Sequence, residues 1–323
     1  MRKTLILGIA ALIVLPGAFI KLYAQDYHLS QFDMAPLYIN PALAGIYPGE
    51  KGDFRLMADY RSQWQKLQSK PYTTSSVAFD MPVNKRFGVG GYVIDNLAGV
   101  SNYNTLGFMV GAAYRITSPE SKYHFLSVGM QLGLMERNYT NDLLFSSQYN
   151  STQGLDGNLP TGENLAKLTM VKLDANMGIY YKYKNEFKQF NPFGGFSIDH
   201  LTKPDQSTTG IPARLPMRFN LTGGTDIYIN SLINLQPVLL CMYQGGATEI
   251  NLGILEYYHV NANYQLISGI SYRFQDALIL QVGIKQGGST FRMSYDVITS
   301  PLKEYAGVRG AIEMGVIYTG NKK

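Results

Sequence analysis

Cysteine is almost missing from this chain: Cys241 stands alone among 323 residues. No disulfide can form within it, so it is not a small cross-linked secreted domain. Charge is scarce too, at 16% of residues against the usual quarter for soluble proteins. Such a surface is not built for water on every side. After Ile20 no stretch reaches the roughly 18 apolar residues of a helical membrane span. Metal-ligand spacing is also lacking, since His28, His124, His200 and His259 are scattered. No cofactor, metal or catalytic group is expected. Gly88-Val89-Gly90-Gly91 has the look of a phosphate loop, but no helix follows it, and a strand is the better reading. Ser197 with Asp199-His200 suggests a barrel lipase only until alternation is considered, because strand neighbours face opposite sides and a triad must converge.

What is present begins with an export signal. Arg2 and Lys3 precede an apolar run from Leu5 to Ile20, and Leu22-Tyr23-Ala24 forms a small-residue ending before Gln25. Cleavage is expected after Ala24, and Pro16-Gly17 breaks the run as an uncleaved anchor would not. No cysteine follows for lipid attachment. Losing Arg2, Lys3 and Lys21 takes the formal net charge from +5 to about +2, so the basic balance says nothing about nucleic acid.

Behind the signal, one pattern recurs about fourteen times: apolar residues alternating with small or polar ones, bounded by Gly, Asn, Asp, Lys or Pro. A period of two is the strand signal. Leu278, Leu280, Val282 and Ile284 share one face, with Gln281, Gly283 and Lys285 on the other. Leu126, Val128, Met130, Leu132 and Leu134 oppose Ser127, Gly129, Gln131 and Gly133, and Val171 to Ile179 alternates with Lys172, Asp174, Asn176 and Gly178. The last strand sets Val308, Ile312, Met314, Val316 and Tyr318 outward and Arg309, Glu313, Gly315 and Thr319 inward. The expected strands are 52–61, 72–80, 86–96, 101–116, 122–138, 171–184, 190–200, 217–230, 233–243, 246–258, 262–274, 277–286, 289–297 and 308–319.

A soluble sandwich would pack the greasy face inside; an outer-membrane barrel would turn it to lipid and line its lumen with the polar face. Three features favour the barrel. The strands approach the nine to eleven residues that cross a bilayer at a tilt. Tyrosines, 24 in all, gather at strand ends as in an interfacial girdle, among them Tyr114, Tyr139, Tyr180-Tyr181, Tyr183, Tyr257-Tyr258, Tyr272 and Tyr318. Many of the 33 glycines fall on the inward face and leave room for something inside. An even strand number puts both termini in the periplasm, so the connections 140–168, 202–216 and 299–307 face outward, while Gln244-Gly245 and Gln275-Asp276 read as hairpin turns. No linker marks a second domain. The expected division is a signal peptide over 1–24, an N-terminal plug-like segment over 25–51 and the barrel over 52–323.

Residues 31–45, QFDMAPLYINPALAG, fit neither strand nor long helix, because Pro36 and Pro41 pull the residues before them out of helical geometry. Extended, irregular chain is expected. Yet Phe32, Met34, Leu37, Tyr38, Ile39 and Leu43 make it too apolar to float free. It should lie against the barrel's interior or end, with Asn40-Pro41 a turn that starts the barrel and Gly45 its hinge. Two further stretches draw notice: Tyr60-Arg61-Ser62-Gln63-Trp64, holding the lone tryptophan, and Ser294-Tyr295-Asp296-Val297-Ile298-Thr299-Ser300-Pro301-Leu302. Arg61 and Trp64 read either as a girdle residue with its cation-π neighbour or as a partner contact. Asp296 reads either as the ion-pair partner of a lumenal Arg or Lys or as a functional carboxylate.

Together with Asn40-Pro41-Ala42-Leu43-Ala44-Gly45, these stretches resemble the PorP/SprF family of outer-membrane proteins of the type IX secretion and gliding system of Bacteroidota. The resemblance extends over nearly the whole mature chain, with Asp33-Met34-Ala35 in place of a more aromatic run and Asn321-Lys322-Lys323 in place of an aromatic end. It implies a non-enzymatic role in the outer membrane. Its partners would be periplasmic ring lipoproteins of the secretion apparatus, or a large secreted adhesin with a C-terminal sorting domain that the barrel helps export or hold at the surface. Asn40, Pro41, Gly45, Arg61, Trp64, Ser294, Tyr295 and Asp296 are then the candidate plug or partner contacts. The alternative is a channel of porin or fatty-acid-transporter type, which a glycine-rich lumen would suit.

Overall fold

The computed structural model describes residues 26–46, 52–65, 70–99, 103–138, 146–151, 154–160, 169–207 and 212–321; the expected signal peptide lies outside them. Strands β1 (Phe54–Gln63), β2 (Tyr72–Pro82), β3 (Phe87–Ala98), β4 (Tyr103–Arg115) and β5 (His124–Asn138) come first. A small external hairpin, β6 (Tyr149–Asn150) with β7 (Gly154–Leu155), separates them from β8 (Thr169–Tyr183), β9 (Phe190–Asp199), β10 (Arg218–Tyr228) and β11 (Ile233–Gln244). The rest are β12 (Ala247–His259), β13 (Tyr264–Arg273), β14 (Ala277–Gln286), β15 (Ser289–Ile298) and β16 (Arg309–Gly320). All but β6 and β7 form one closed antiparallel barrel, in which β1 pairs with β16 from Phe54↔Gly320 to Gln63↔Ala311. Closure leaves no exposed sheet edge, the condition for strands to sit in lipid. Among the described residues no helix is long and apolar enough to cross a membrane.

The alternation in the sequence is the alternation of the wall. In β1, Arg55, Met57, Asp59 and Arg61 are buried in the lumen while Leu56 and Tyr60 are exposed on the outer face. Leu132, Leu173 and Val282, at 61%, 71% and 64% exposure, would be errors on a soluble protein but are ordinary where lipid covers them. The strand limits differ from the sequence expectation by two residues at most. Not every girdle assignment holds, since Tyr180 and Tyr257 turn into the lumen.

Connection lengths orient the barrel. The links 83–86, 229–232, 260–263 and 287–288 are short and lie at the end where β1 starts; 139–168, 200–217 and 299–308 are long and lie at the other. Short turns are periplasmic and long loops external. The external end also has tight links: Gly245-Gly246, whose φ values of 58° and 91° suit a two-residue hairpin, and Phe274-Gln275-Asp276.

Residues 26–46 lie inside the barrel and run down it, from Asp26 among the external ends of β10 and β11 to Gly45 beside the periplasmic ends of β2 and β3. The expectation of extended chain is corrected here. Phe32–Met34 and Pro41–Leu43 are 3-10 turns, and α1 (Pro36–Ile39) is one turn of α-helix. Proline excludes a helix upstream of itself but is well placed at a helix start, where its missing N–H would be unpaired anyway. Ala35 and Asn40, the residues before the prolines, are indeed non-helical, at φ −119° and −153°. The segment's Leu29, Leu37, Ile39 and Ala44 pack against Met57, Tyr92, Ile94 and Leu240 of the wall, so the core of the molecule is the filled lumen.

Candidate functional site

The segment is held at three levels, each by side chains that the strands turn inward. At the external level the Asp26 amide donates to Gln244 Oε1 (2.8 Å), and the Asp26 carboxylate meets His200 Nε2 (2.6 Å) and Arg218 Nη1 (3.1 Å). His200 follows directly on Asp199, yet both face inward, because His200 has a left-handed φ of 58° that breaks the alternation. Its other ring nitrogen meets Asp174 at 2.5 Å. Burial alone would favour the neutral ring, but Asp26 and Asp174 push His200 up to about 10. At neutral pH it is therefore a cation clamped between two carboxylates. Arg218 lies 4.3 Å over the Tyr38 ring and also donates to Tyr38 Oη and Asp199.

The second level is an ion network around Ser30 and Gln31. Their backbone N–H groups donate to the two oxygens of Glu313 (2.8 and 2.7 Å). Arg61 spans Glu313 Oε2 and Asp296 Oδ2, both at 2.9 Å, and donates to Ser30 Oγ at 2.6 Å. Arg273 holds the same Asp296 oxygen at 2.7 Å, and Arg292 donates to Gln31 Oε1 and Asp33. Arg61, Asp296 and Glu313 are at most 2% exposed. Buried charges persist only when paired and hydrogen-bonded, and here the pairing includes the segment's own backbone.

The third level seats Asn40 to Gly45. A short helical turn leaves its carbonyls without internal partners. The wall supplies them: Gln131 donates to Leu37 O (3.1 Å), Ser197 to Ile39 O (2.6 Å) and Ser127 to Ala42 O (2.8 Å). Asn40 donates to Ile179 O and accepts from the Ala42 amide, both at 2.9 Å. The Gly45 amide donates to Asp80, which Arg55 grips with two hydrogen bonds. Wall glycines make the approach possible. A Cβ on Gly129 would lie 2.4 Å from Pro41 O, one on Gly178 2.2 Å from Asn40 Oδ1, and one on Gly88 2.2 Å from Ala44 O. The lumen is roomy in sequence because backbone, not solute, fills it.

The profile of the family described as "Type IX secretion system membrane protein PorP/SprF" matches residues 21–318. The chain belongs to the PorP/SprF family. No curated protein matches it. Among solved structures, the PorP/SprF barrel is similar to the TodX monoaromatic hydrocarbon channel in a deltaS2S3 mutant, at TM-score 0.53 and 13% identity, with 89% of this chain and 94% of that one covered. It is likewise similar to the P. putida toluene transporter TodX, at TM-score 0.51 and 12% identity, covering 88% and 92%. At such identities the likeness concerns the barrel alone. Family, barrel and lipid-facing wall together make this an outer-membrane barrel of the type IX secretion system and point to a non-enzymatic protein.

In this PorP/SprF barrel the residues singled out in sequence fall into two groups. Asn40, Pro41 and Gly45 lie in the periplasmic seat. Arg61, Ser294 and Asp296 lie in the ion network, where Ser294 Oγ is 3.3 Å from Gln31 Nε2. Arg61 is neither a girdle residue nor paired with Trp64: it alternates with outward Tyr60, so its guanidinium points inward. Trp64 instead sits at φ 57° with its ring edge-on to Tyr72, centroids 5.0 Å apart, and Tyr295 faces lipid at 37% exposure. Asn40-Pro41 does not start the barrel but lies against its inner wall, next to Gly178 and Gly195. Gly45 has φ +61° and is wedged against Met81 O, a fixed contact rather than a hinge. His28 and His200, scattered in the sequence, both lie in the lumen: His200 is an ion-pair residue, and His28 Nδ1 lies 3.2 Å from Glu249. Ser197 and His200 serve different parts of the segment and make no nucleophile–base pair. Sequence reasoning passed over Ser30, Arg273, Arg292, Asp26 and Arg218. Alternation could have placed Arg273 and Arg292 inward, but nothing local ties them to residues more than two hundred positions away.

Proposed function

We propose that this barrel works as a surface anchor in type IX secretion, holding a secreted protein with a C-terminal sorting domain or assisting its export by protein–protein contact. The observation that carries this reading is the three-level lock of residues 26–46 across the lumen. A conduit needs a path, and here charged side chains and backbone occupy it. The external loops, with the long 139–168 connection foremost, offer contact surface to a client, and the periplasmic turns offer it to ring lipoproteins of the secretion apparatus. The test is a mild-detergent pull-down of the tagged protein from its own outer membrane, followed by mass spectrometry. Co-purification of a ring lipoprotein or of a large protein with a C-terminal sorting domain is expected; isolation of the barrel alone contradicts the proposal. Deleting 140–168 should weaken client attachment, and full attachment without it would refute the external half.

A further inference from the structure

On its lipid-facing side the wall carries a depression of about 520 Å³, lined by apolar side chains. It crosses two outward rows. In one, Tyr114 pairs with Val128, Val128 with Ile179 and Ile179 with Phe196; in the next, Met130 pairs with Ala112 and Met177. The small Ala112 lies among larger neighbours, and Gly129 and Gly178 line the bottom. Those two glycines receive Pro41 and Asn40 on their inner side, so the depression backs onto the periplasmic seat of the segment. Its mouth is at the periplasmic boundary, where β3 begins and β4 ends and where the Phe87 and Tyr114 rings lie 4.9 Å apart.

That mouth is basic. Arg86 Nη1 donates to Tyr114 Oη (3.1 Å), and the Arg115 amide donates to Arg86 O (2.8 Å), which sets the two residues side by side. The Arg115 guanidinium donates to Thr117 Oγ1 (3.2 Å) and Ser121 O (3.0 Å) and lies 4.2 Å from the centre of the Phe125 ring, all neutral groups. Lys85 and Lys122 stand exposed in the turns 83–86 and 116–123, whose one carboxylate is Glu120. Among the described residues no carboxylate pairs with Arg86, Arg115, Lys85 or Lys122. This positive charge is uncompensated within the protein and lies at the level of the lipid headgroups.

We propose that the depression binds a phospholipid of the periplasmic leaflet with a net negative headgroup, one acyl chain along the two apolar rows and the phosphate at Arg86 and Arg115. Any other protein element spanning this membrane is a closed barrel, whose convex wall does not enter a concavity. A water-soluble partner does not reach a surface that faces hydrocarbon. Guanidinium groups and a phenolic hydroxyl suit phosphate oxygens. A zwitterionic headgroup brings an ammonium that the arginines repel, so charge selects the anionic lipid. The site is on the outer wall and is independent of what the lumen or the external loops hold.

The full mature chain in a non-ionic detergent is titrated with dioleoylphosphatidylglycerol or dioleoylphosphatidylcholine, which share their acyl chains, and bound lipid is counted by native mass spectrometry. One phosphatidylglycerol should bind about tenfold more tightly than phosphatidylcholine, the effect of one or two basic groups at a membrane surface. Arg86→Gln combined with Arg115→Gln should erase that preference. Ala112→Leu fills the depression from the lipid-facing side and displaces roughly two methylene groups of the chain, so it should weaken phosphatidylglycerol binding about tenfold with the barrel still heat-modifiable on gels. Lys303→Gln, in the external 299–308 link, should change nothing, and inorganic phosphate should not displace the lipid. Equal binding of the two lipids, a preference that survives the arginine double variant, binding untouched by a folded Ala112→Leu, or displacement by phosphate alone would each overturn the proposal. The arginine variant leaves the apolar rows intact, so the lipid preference decides the matter even where Ala112→Leu fails to fold.

Discussion

Arg61 is the residue whose loss should cost most. It is 2% exposed and bridges Asp296 and Glu313. Arg61→Met keeps most of the volume and removes the charge. Asp296 still has Arg273 at 2.7 Å, whereas the Glu313 carboxylate loses its Arg61 partner and keeps the Ser30 and Gln31 amides. Breaking a buried ion pair from one side costs about 3–5 kcal/mol. The surviving amide donors put the expected loss near the bottom of that range, about 3 kcal/mol. Urea unfolding in detergent, followed by Trp64 fluorescence, measures it, because the lone tryptophan sits just beyond Arg61 at the end of β1. Glu313→Gln added to Arg61→Met removes the stranded charge and keeps an acceptor for the Ser30 or Gln31 amide, so the double variant should regain about 1 kcal/mol or more. Hydrogen exchange at those two amides should speed up in Arg61→Met. A loss below about 1 kcal/mol, or a double variant less stable than Arg61→Met alone, would refute the claim that the network is a mutually compensated lock.

Other expectations follow from the same contacts. Gly129→Val pushes a side chain into Pro41 O and should dislodge the segment, read as protease sensitivity near Asn40, while Gly223→Ala, whose Cβ would meet nothing nearer than 3.9 Å, should be silent. Asn40→Ala loses both the bond to Ile179 O and the cap on the Ala42 amide and should cost about 1 kcal/mol in the same urea assay. The folded value of His200, about 10, exceeds its ordinary value of 6.5, so its contribution is complete below about pH 6.5 and fades as pH rises through 10. Protection of the Tyr27 and His28 amides, taken relative to the intrinsic base-catalysed exchange rate at each pH, should therefore fall between pH 9 and 11, and His200→Ala should remove that fall.

The barrel was legible because its signal is local: period-two alternation, glycine and asparagine at turns, and strands long enough for a bilayer. Even the inward assignment of Glu313 follows from counting along the last strand. The plug was half legible. Its apolar content demanded a wall, and the prolines fixed Ala35 and Asn40, but one-turn helices such as Pro36–Ile39 are held by the wall's hydrogen bonds rather than by their own sequence. The girdle alternative for Arg61 rests on its standing close to Trp64, although its spacing from Arg55, Met57 and Asp59 marks the inward face. His200 could not be read at all, since a left-handed residue at the end of β9 reverses the face that alternation assigns. The ion network joins residues such as Ser30 and Asp296, 266 positions apart, and no local pattern carries that information.

The central claim is that the protein's own N-terminal segment closes its lumen. Planar-bilayer recording of the purified protein tests it directly. The account predicts silence from the intact chain, and brief or steady openings once Gly129→Val displaces the segment. A steady open pore from the intact protein would contradict the plugged lumen and favour a channel.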